Sequence, residues 1–181
     1  MFAEPFDAEE GYRVWLDQEE VTRLLSKARD QQEELAFTLG VRSGLRASEI
    51  VAVRAKHVVD TSAGPRVRVH NSKGKRYRET PTTESVRSTA RTYEQIEGPD
   101  KRLVEMSKRT VQRRLDRVTD ELAASDDEMW AHVTPHDLRR TWATSLAGSD
   151  VDPLLVCDWG GWADLETFLE HYRGTYSPDA Q

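Results

Sequence analysis

The chain of 181 residues has one cysteine, Cys157, which excludes an internal disulfide and leaves no Cys-x-x-Cys pair for a structural zinc. Cys157 therefore reads as a small core or helix residue. No apolar run approaches the roughly 18 residues of a membrane-spanning helix. The opening MFAEPFDAEEG is acidic, where a secretory leader would be basic and then apolar. The expectation is a soluble, cytoplasmic protein with no membrane partner. Lysine is scarce, 6 against 20 arginines, beside 32 acidic residues and a net charge of -6. Few lysines with many acids is a halophile-like composition, that of proteins from salt-loving hosts.

A negative balance speaks against nucleic-acid binding, because phosphate contacts need lysine or arginine. Distribution reverses that reading. The acids gather at the start (Glu4, Asp7, Glu9, Glu10, Asp17, Glu19, Glu20) and at Asp126, Asp127 and Glu128, whereas SKRTVQRRLDR, residues 107–117, holds five basic residues against one acid. With 37% hydrophobic residues the chain can bury one core. Residues 1–15 lack helical periodicity and read as an arm or linker remnant, which leaves 16–181 as a single domain.

Local signals predict a mainly α chain with a small antiparallel β-sheet, an α+β fold. Asp17 and Glu20 form a capping-box pattern ahead of the stripe Val21, Leu24, Leu25. A second helix, about 31–43, carries Leu35, Phe37, Leu39 and Val41 and ends at Gly44, with a short helix from Ala47. Between about 56 and 81 the period changes to two in HVVD, RVRVH and RYRET, with turns at Gly64-Pro65 and Lys73-Gly74. Helix returns from Thr82, with breaks at Gly98-Pro99 and in the acidic loop 125–128. In a helix of about 108–123, Val111, Leu115, Val118 and Leu122 mark the packed stripe and leave Arg109, Arg113 and Arg117 on other faces. Thr134-Pro135 starts a helix, the threonine capping and the proline at the first position. Another helix runs from about Asp152 to Trp159 and stops at Gly160-Gly161, and a last one covers about 164–172.

Cutting DNA without a metal needs a nucleophile, a proton donor for the leaving oxygen, and fixed positive charge around the phosphate. Arginine suits the last task, since its planar fork keeps its charge and donates through two N–H groups. Singly, the candidate segments are ordinary. Arg46 after Ser-Gly-Leu reads as a surface or capping residue, Lys73-Gly74 as a hairpin tip, His136 and Arg139 as a helix-start histidine and a solvated charge.

Order and context change their weight, because SGLRASEI (43–50), KGKRYRETP (73–81), TPHDLRRTWAT (134–144) and WGGWADLETFLEHYRG (159–174) stand in one sequence. Taken in that order, these segments resemble the motif boxes of the tyrosine recombinase (phage integrase) family, over most of the chain. The resemblance implies the family's catalytic-domain fold and places catalytic residues at Arg46, Lys73, His136, Arg139 and Trp162, with Glu49 structural. The nucleophile it implies is Tyr172, with Tyr176 the alternative. Trp162 stands ten residues before Tyr172 and fourteen before Tyr176, where the family's spacing is one shorter than ten. Against the family's pattern, the expectation is that the amino-terminal core-binding domain is absent.

The activity implied by the resemblance is that of a site-specific recombinase, or integrase, that cleaves and rejoins DNA through a 3′-phosphotyrosyl intermediate. In it, Arg46 and Arg139 clamp the phosphate, His136 takes the tyrosine proton, Lys73 protonates the leaving 5′ oxygen, and Trp162 holds the phosphate. The DNA-facing residues it suggests are Lys75, Arg76, Lys108, Arg109, Arg113, Arg114, Arg117 and Arg140. It implies double-stranded DNA as partner, a homo-oligomer (tetramer) on that DNA, no cofactor and no metal. Other readings are a catalytically silent or accessory DNA-binding regulator with a recombinase-like fold, a type IB topoisomerase, and a helical interaction module.

Overall fold

The computed structural model describes residues 1–6, 11–70, 77–149 and 151–170, apart from the side chains of Thr167 and Glu170. Asp17 caps α1 (Gln18–Ser26) with the reciprocal bonds expected: its carboxylate accepts from the Glu20 N–H at 2.8 Å, and Glu20 accepts from the Asp17 N–H at 2.7 Å. Helix α2 (Gln31–Ser43) runs through the core with Leu35, Phe37, Leu39 and Val41 buried, and ends at Gly44 in the left-handed region, φ 65°. A single turn, α3 (Ala47–Ile50), comes next. The long α5 (Lys108–Ser125) buries Val111, Leu115, Val118 and Leu122, side chains whose burial stabilises by about 1.5–3 kcal/mol each. It packs against α1, α2, α3 and the short turn at Glu128–His132.

Strands β3 (Val58–Thr61), β4 (Gly64–His70) and β5 (Tyr77–Pro81) form an antiparallel sheet in the order β3-β4-β5. The register pairs Val58 with Val67 and Val67 with Thr80, so Val67, Val69, Arg78 and Thr80 share the buried face. Gly64-Pro65, expected to separate two strands, instead opens β4, opposite Thr61 and Asp60. The reversal falls on Ser62 and Ala63, and Gly64 takes φ 100° to leave it. Helix α4 (Glu84–Glu97) begins at the Thr83 cap and stops at Gly98.

Residues 1–15, expected to lack regular structure, hold two antiparallel strands, β1 (Phe2–Pro5) and β2 (Tyr12–Trp15). Their stability comes from α6 (Pro135–Ala147), against which β2 lies: the Val14 N–H donates to Asp137 Oδ1 at 3.1 Å and the Leu16 N–H to Thr141 Oγ1 at 3.0 Å. These partners are more than a hundred residues away in sequence, which is why no local period marks the strands. Helices α7 (Pro153–Gly160) and α8 (Leu165–Glu170) pack with α6 around a smaller apolar cluster of Trp142, Ala143, Val156, Cys157 and Phe168. Cys157 is buried there, and its Sγ–H reaches the Asp164 carbonyl at 3.5 Å. Among the described residues no helix is long and apolar enough to cross a membrane.

Candidate active site

Three chain reversals meet at one edge of the α2–α6 layer. The first ends α2. Ser43 is pinned to the sheet end by Ser43 Oγ donating to Thr82 Oγ1 and by Thr80 Oγ1 donating to the Ser43 carbonyl, both at 2.8 Å. Gly44 then turns the chain, and Leu45 is buried so that Arg46 emerges at the head of α3. The Arg46 side chain is 40% exposed. Its Nη1 donates to Glu49 Oε1 at 3.1 Å, its main-chain N–H donates to Glu49 Oε2 at 2.8 Å, and its Nη2 faces the Gly161 carbonyl at 3.5 Å.

The second reversal is the head of α6. Asp137 Oδ2 accepts from both the Thr134 N–H, at 2.9 Å, and the Thr134 hydroxyl, so the threonine expected to cap through its side chain donates instead, with Pro135 at the first position. His136 is exposed on this first turn, and Arg139, one turn on, is buried. The Arg139 guanidinium donates from Nη1 to the Gly44 carbonyl at 2.5 Å and from Nη2 to the Gly160 carbonyl at 2.6 Å. It therefore satisfies the ends of α2 and α7 together.

The third reversal is the Gly160-Gly161-Trp162 turn. Gly161 takes φ 67°, and the Trp162 ring lies 4.1 Å from the Arg139 guanidinium carbon, a cation–π contact. The same ring is parallel to Trp142, with centroids 6.4 Å apart, and meets Phe168 edge-on at 5.0 Å.

Between the first two reversals and α5 lies a cleft of about 330 Å³, lined by Arg46, Ser48, Lys108, Gln112, His136 and Arg139. Arginine, lysine and histidine from three separate segments are thus brought to one concavity. A larger groove of about 870 Å³ is lined in part by Arg66, Arg78, Trp159, Gly161 and Trp162, and Arg46, His136 and Arg139 do not line it. The smaller cleft is the one suited to an anion. Among the described residues no group of three or more His, Cys, Asp or Glu is placed to hold a metal ion.

The sequence reading missed Arg78. It lies on β5, nearly buried, and donates from Nη1 and Nη2 to the two oxygens of Glu49, each at 2.8 Å, and from Nε to the Trp159 carbonyl at 2.7 Å. Burial works to raise the Glu49 pKa, but hydrogen bonds and charge from Arg78, then from Arg46, outweigh it and hold the carboxyl below the usual glutamate range. The available signal was the alternation of RYRET: Arg78 and Thr80 fall on one strand face, and a buried arginine needs an acid.

Helix α5 divides its cations. Lys108, Arg109 and Arg113 are exposed and make no ion pair among the described residues. Arg114 pairs with Asp30 at 2.7 Å, and Arg117 with Glu33 at 2.6 Å and Glu121 at 2.9 Å. Arg140 pairs with Asp137 beneath the β1–β2 strands. Lys73, Lys75, Arg76, Tyr172 and Tyr176 lie outside the described residues.

Several solved structures are similar to this α+β fold. XerA recombinase matches with a TM-score of 0.71 at 20% identity, covering 92% of this chain and 62% of that one. The integrase of the Tn1549 transposon, in complex with transposon right end DNA, matches at 0.69 and 19%, covering 97% and 66%. The catalytic domain of bacteriophage HP1 integrase matches at 0.63 and 18%, covering 91% and 90%. The fold is that of tyrosine recombinase catalytic domains. The chain belongs to the phage integrase family, whose model matches residues 14–177. It spans less than two thirds of the XerA and Tn1549 integrase chains. Comparison with curated proteins gives no match.

Proposed function

We propose that the chain is the catalytic domain of a site-specific DNA recombinase, which cleaves and rejoins double-stranded DNA through a 3′-phosphotyrosyl link. The observation that carries this reading is the cleft in which Arg46, Lys108, His136 and Arg139 converge, in a chain of the phage integrase family. The hydroxyl of Tyr172, or alternatively Tyr176, attacks the scissile phosphorus and gives its proton to His136. The bond from phosphorus to the 5′ oxygen breaks, and Lys73 protonates that oxygen. A 5′ hydroxyl attacking the phosphotyrosine reverses the step, so the bond energy is conserved and no nucleotide cofactor or metal is called for.

Arg46 supplies the exposed guanidinium for a non-bridging oxygen, and Arg139, deep in the cleft, supplies fixed charge and holds the turn that carries Trp162. Trp162, which does not line the cleft, acts on the phosphate through the Arg139 guanidinium that its ring packs against. Lys108, Arg109 and Arg113 on α5, with Lys75 and Arg76 of the β4–β5 connection, meet the flanking backbone, while Arg114, Arg117 and Arg140 answer acids of the chain itself. Two strands cut and two rejoined at each of two duplexes call for a homotetramer on the DNA. The cytoplasm is the compartment in which such a protein meets DNA.

The test uses a pool of labelled, nicked suicide duplexes of randomised sequence, with covalent protein–DNA product read on a denaturing gel over a range of salt. Wild type forms an adduct. Either Tyr172→Phe or Tyr176→Phe abolishes it while the other leaves it, which assigns the nucleophile. Arg46→Ala lowers the rate by about 100- to 1,000-fold, the usual loss for one donor to a developing oxyanion. Salt-dependent duplex binding without any adduct from wild type would replace this reading with that of an accessory DNA-binding regulator.

A further inference from the structure

Glu49 is shared by two arginines. Its Oε1 accepts from Arg78 Nη1 at 2.8 Å and Arg46 Nη1 at 3.1 Å, and its Oε2 accepts from Arg78 Nη2 and from the Arg46 main-chain N–H, both at 2.8 Å. Arg46 opens onto the cleft, but Arg78 does not line it. Arg78 sits behind, its side chain 8% exposed, joined by Nε to the last turn of α7. A Cβ on Gly161 would lie 2.9 Å from Arg78 Cδ, so the glycine turn is in contact with the same side chain.

A carboxylate paired with Arg46 alone would cancel the charge that Arg46 offers to an anion. With Arg78 bound to both oxygens of the same carboxylate, the three groups together keep one positive charge, and it lies on the side that faces the cleft. The bidentate fork also fixes the plane of the carboxylate, and with it the direction in which Arg46 extends.

We propose that Arg78 is a positioning residue for strand transfer: through Glu49 it aims Arg46 and preserves its charge, and through Trp159 it seats the Gly161–Trp162 turn beside it. The proposal rests on the recombinase reading for its activity readout, and a second readout stands apart from activity. Arg78 touches no DNA in this scheme, since Lys108, Arg109 and Arg113 supply the grip.

The variants are Arg78→Lys, which keeps the charge and loses the fork, and Arg78→Met, which loses both. Adduct rate falls about tenfold in R78K and about 100-fold in R78M, the scale of a misplaced reacting group. Duplex affinity at fixed salt stays within about twofold, because backbone contacts carry it. The acid limb of the rate profile moves to higher pH in both variants, since Glu49, faced among the described residues by Arg46 and the substituted residue, takes up its proton more readily. Wild-type rate and limb in both variants would overturn the proposal. So would a rate that falls only as far as the folded fraction does, with the limb unmoved. Should wild type form no adduct, the recombinase reading fails by itself, and the side-chain NMR of Glu49 and Arg46 decides. A Glu49 carboxyl that titrates higher in R78K with a displaced Arg46 Nε–H signal sustains the positioning role, and unchanged signals refute it. R78K also serves where R78M does not fold.

Discussion

Gly44 lies at φ 65° against the face of Trp142, and a Cβ there would stand 2.2 Å from the ring. Backbone strain and overpacking act together, so Gly44→Ala should destabilise by about 2–4 kcal/mol in urea unfolding. Gly64, at φ 100° with nothing within 4 Å of a Cβ, is the control, since Gly64→Ala meets only the backbone term of about 1 kcal/mol. Arg139 makes the same neighbourhood depend on one cation. Its guanidinium satisfies the carbonyls that end α2 and α7, and no aliphatic side chain of similar length does so. The sequence placed Arg139 as a phosphate clamp through its motif, but its two backbone carbonyls come from turns that only the folded chain brings together. The alternation of RYRET marks Arg78 as inward-facing, but the acid it answers is 29 positions away, so its place in the site was not legible.

At the scale of elements, the head of α6 joins a local signal to a distant one. Asp137 caps Thr134 and pairs with Arg140, each three residues away and readable from spacing, and it also accepts the Val14 N–H, which is not. Asp137→Ala removes the cap and strands two partners, so a loss of about 2–4 kcal/mol is expected, with the Val14 amide losing protection in hydrogen exchange. Retained protection at Val14 would mean that β2 does not depend on this carboxylate. Helix α5 offers a contrast within one element. Arg117 answers the buried Glu33, and Arg117→Ala should cost about 1–3 kcal/mol of stability. Arg113 is solvent-facing, and Arg113→Ala should stay within about 0.5 kcal/mol while weakening duplex binding. Periodicity identified both as outside the packed stripe. Which of them meets an acid depended on where α2 lies.

For the whole molecule, Glu49 and His57 are partly buried groups through which acid pH works against the fold. Glu49 is held below the ordinary glutamate range, so its contribution is present at neutral pH and lost as pH falls through that lowered value. His57 is also held low, by burial first and then by the charges of His70, Lys56 and Arg54, against an opposing pull from Asp100. The unfolded chain therefore takes up a proton that folded His57 refuses. Stability should fall as pH drops through the ordinary histidine value of about 6.5. His57→Asn, which keeps an acceptor for the Arg54 N–H, should flatten urea-derived stability between about pH 5 and 7.5. The net charge of -6 sets the opposite tone from the α5 face. Binding to duplex should weaken with salt, and Arg109→Ala with Arg113→Ala should reduce the log–log slope by roughly 2, about one for each phosphate no longer neutralised.

The sequence by itself determined the family, the order of the helices, the ends of α1, α2 and α6, and the α+β character, because capping, glycine turns and hydrophobic period act over a few residues. Tertiary structure alone decided the strand pairing of residues 2–5 with 12–15, the shift of the β3–β4 turn off Gly64-Pro65, the sorting of the α5 arginines, and the Arg46–Glu49–Arg78 group. Each of these is a hydrogen bond or ion pair whose partner is set by packing. A charged side chain declares in sequence that it needs a partner or water, and only the assembled core determines which it receives.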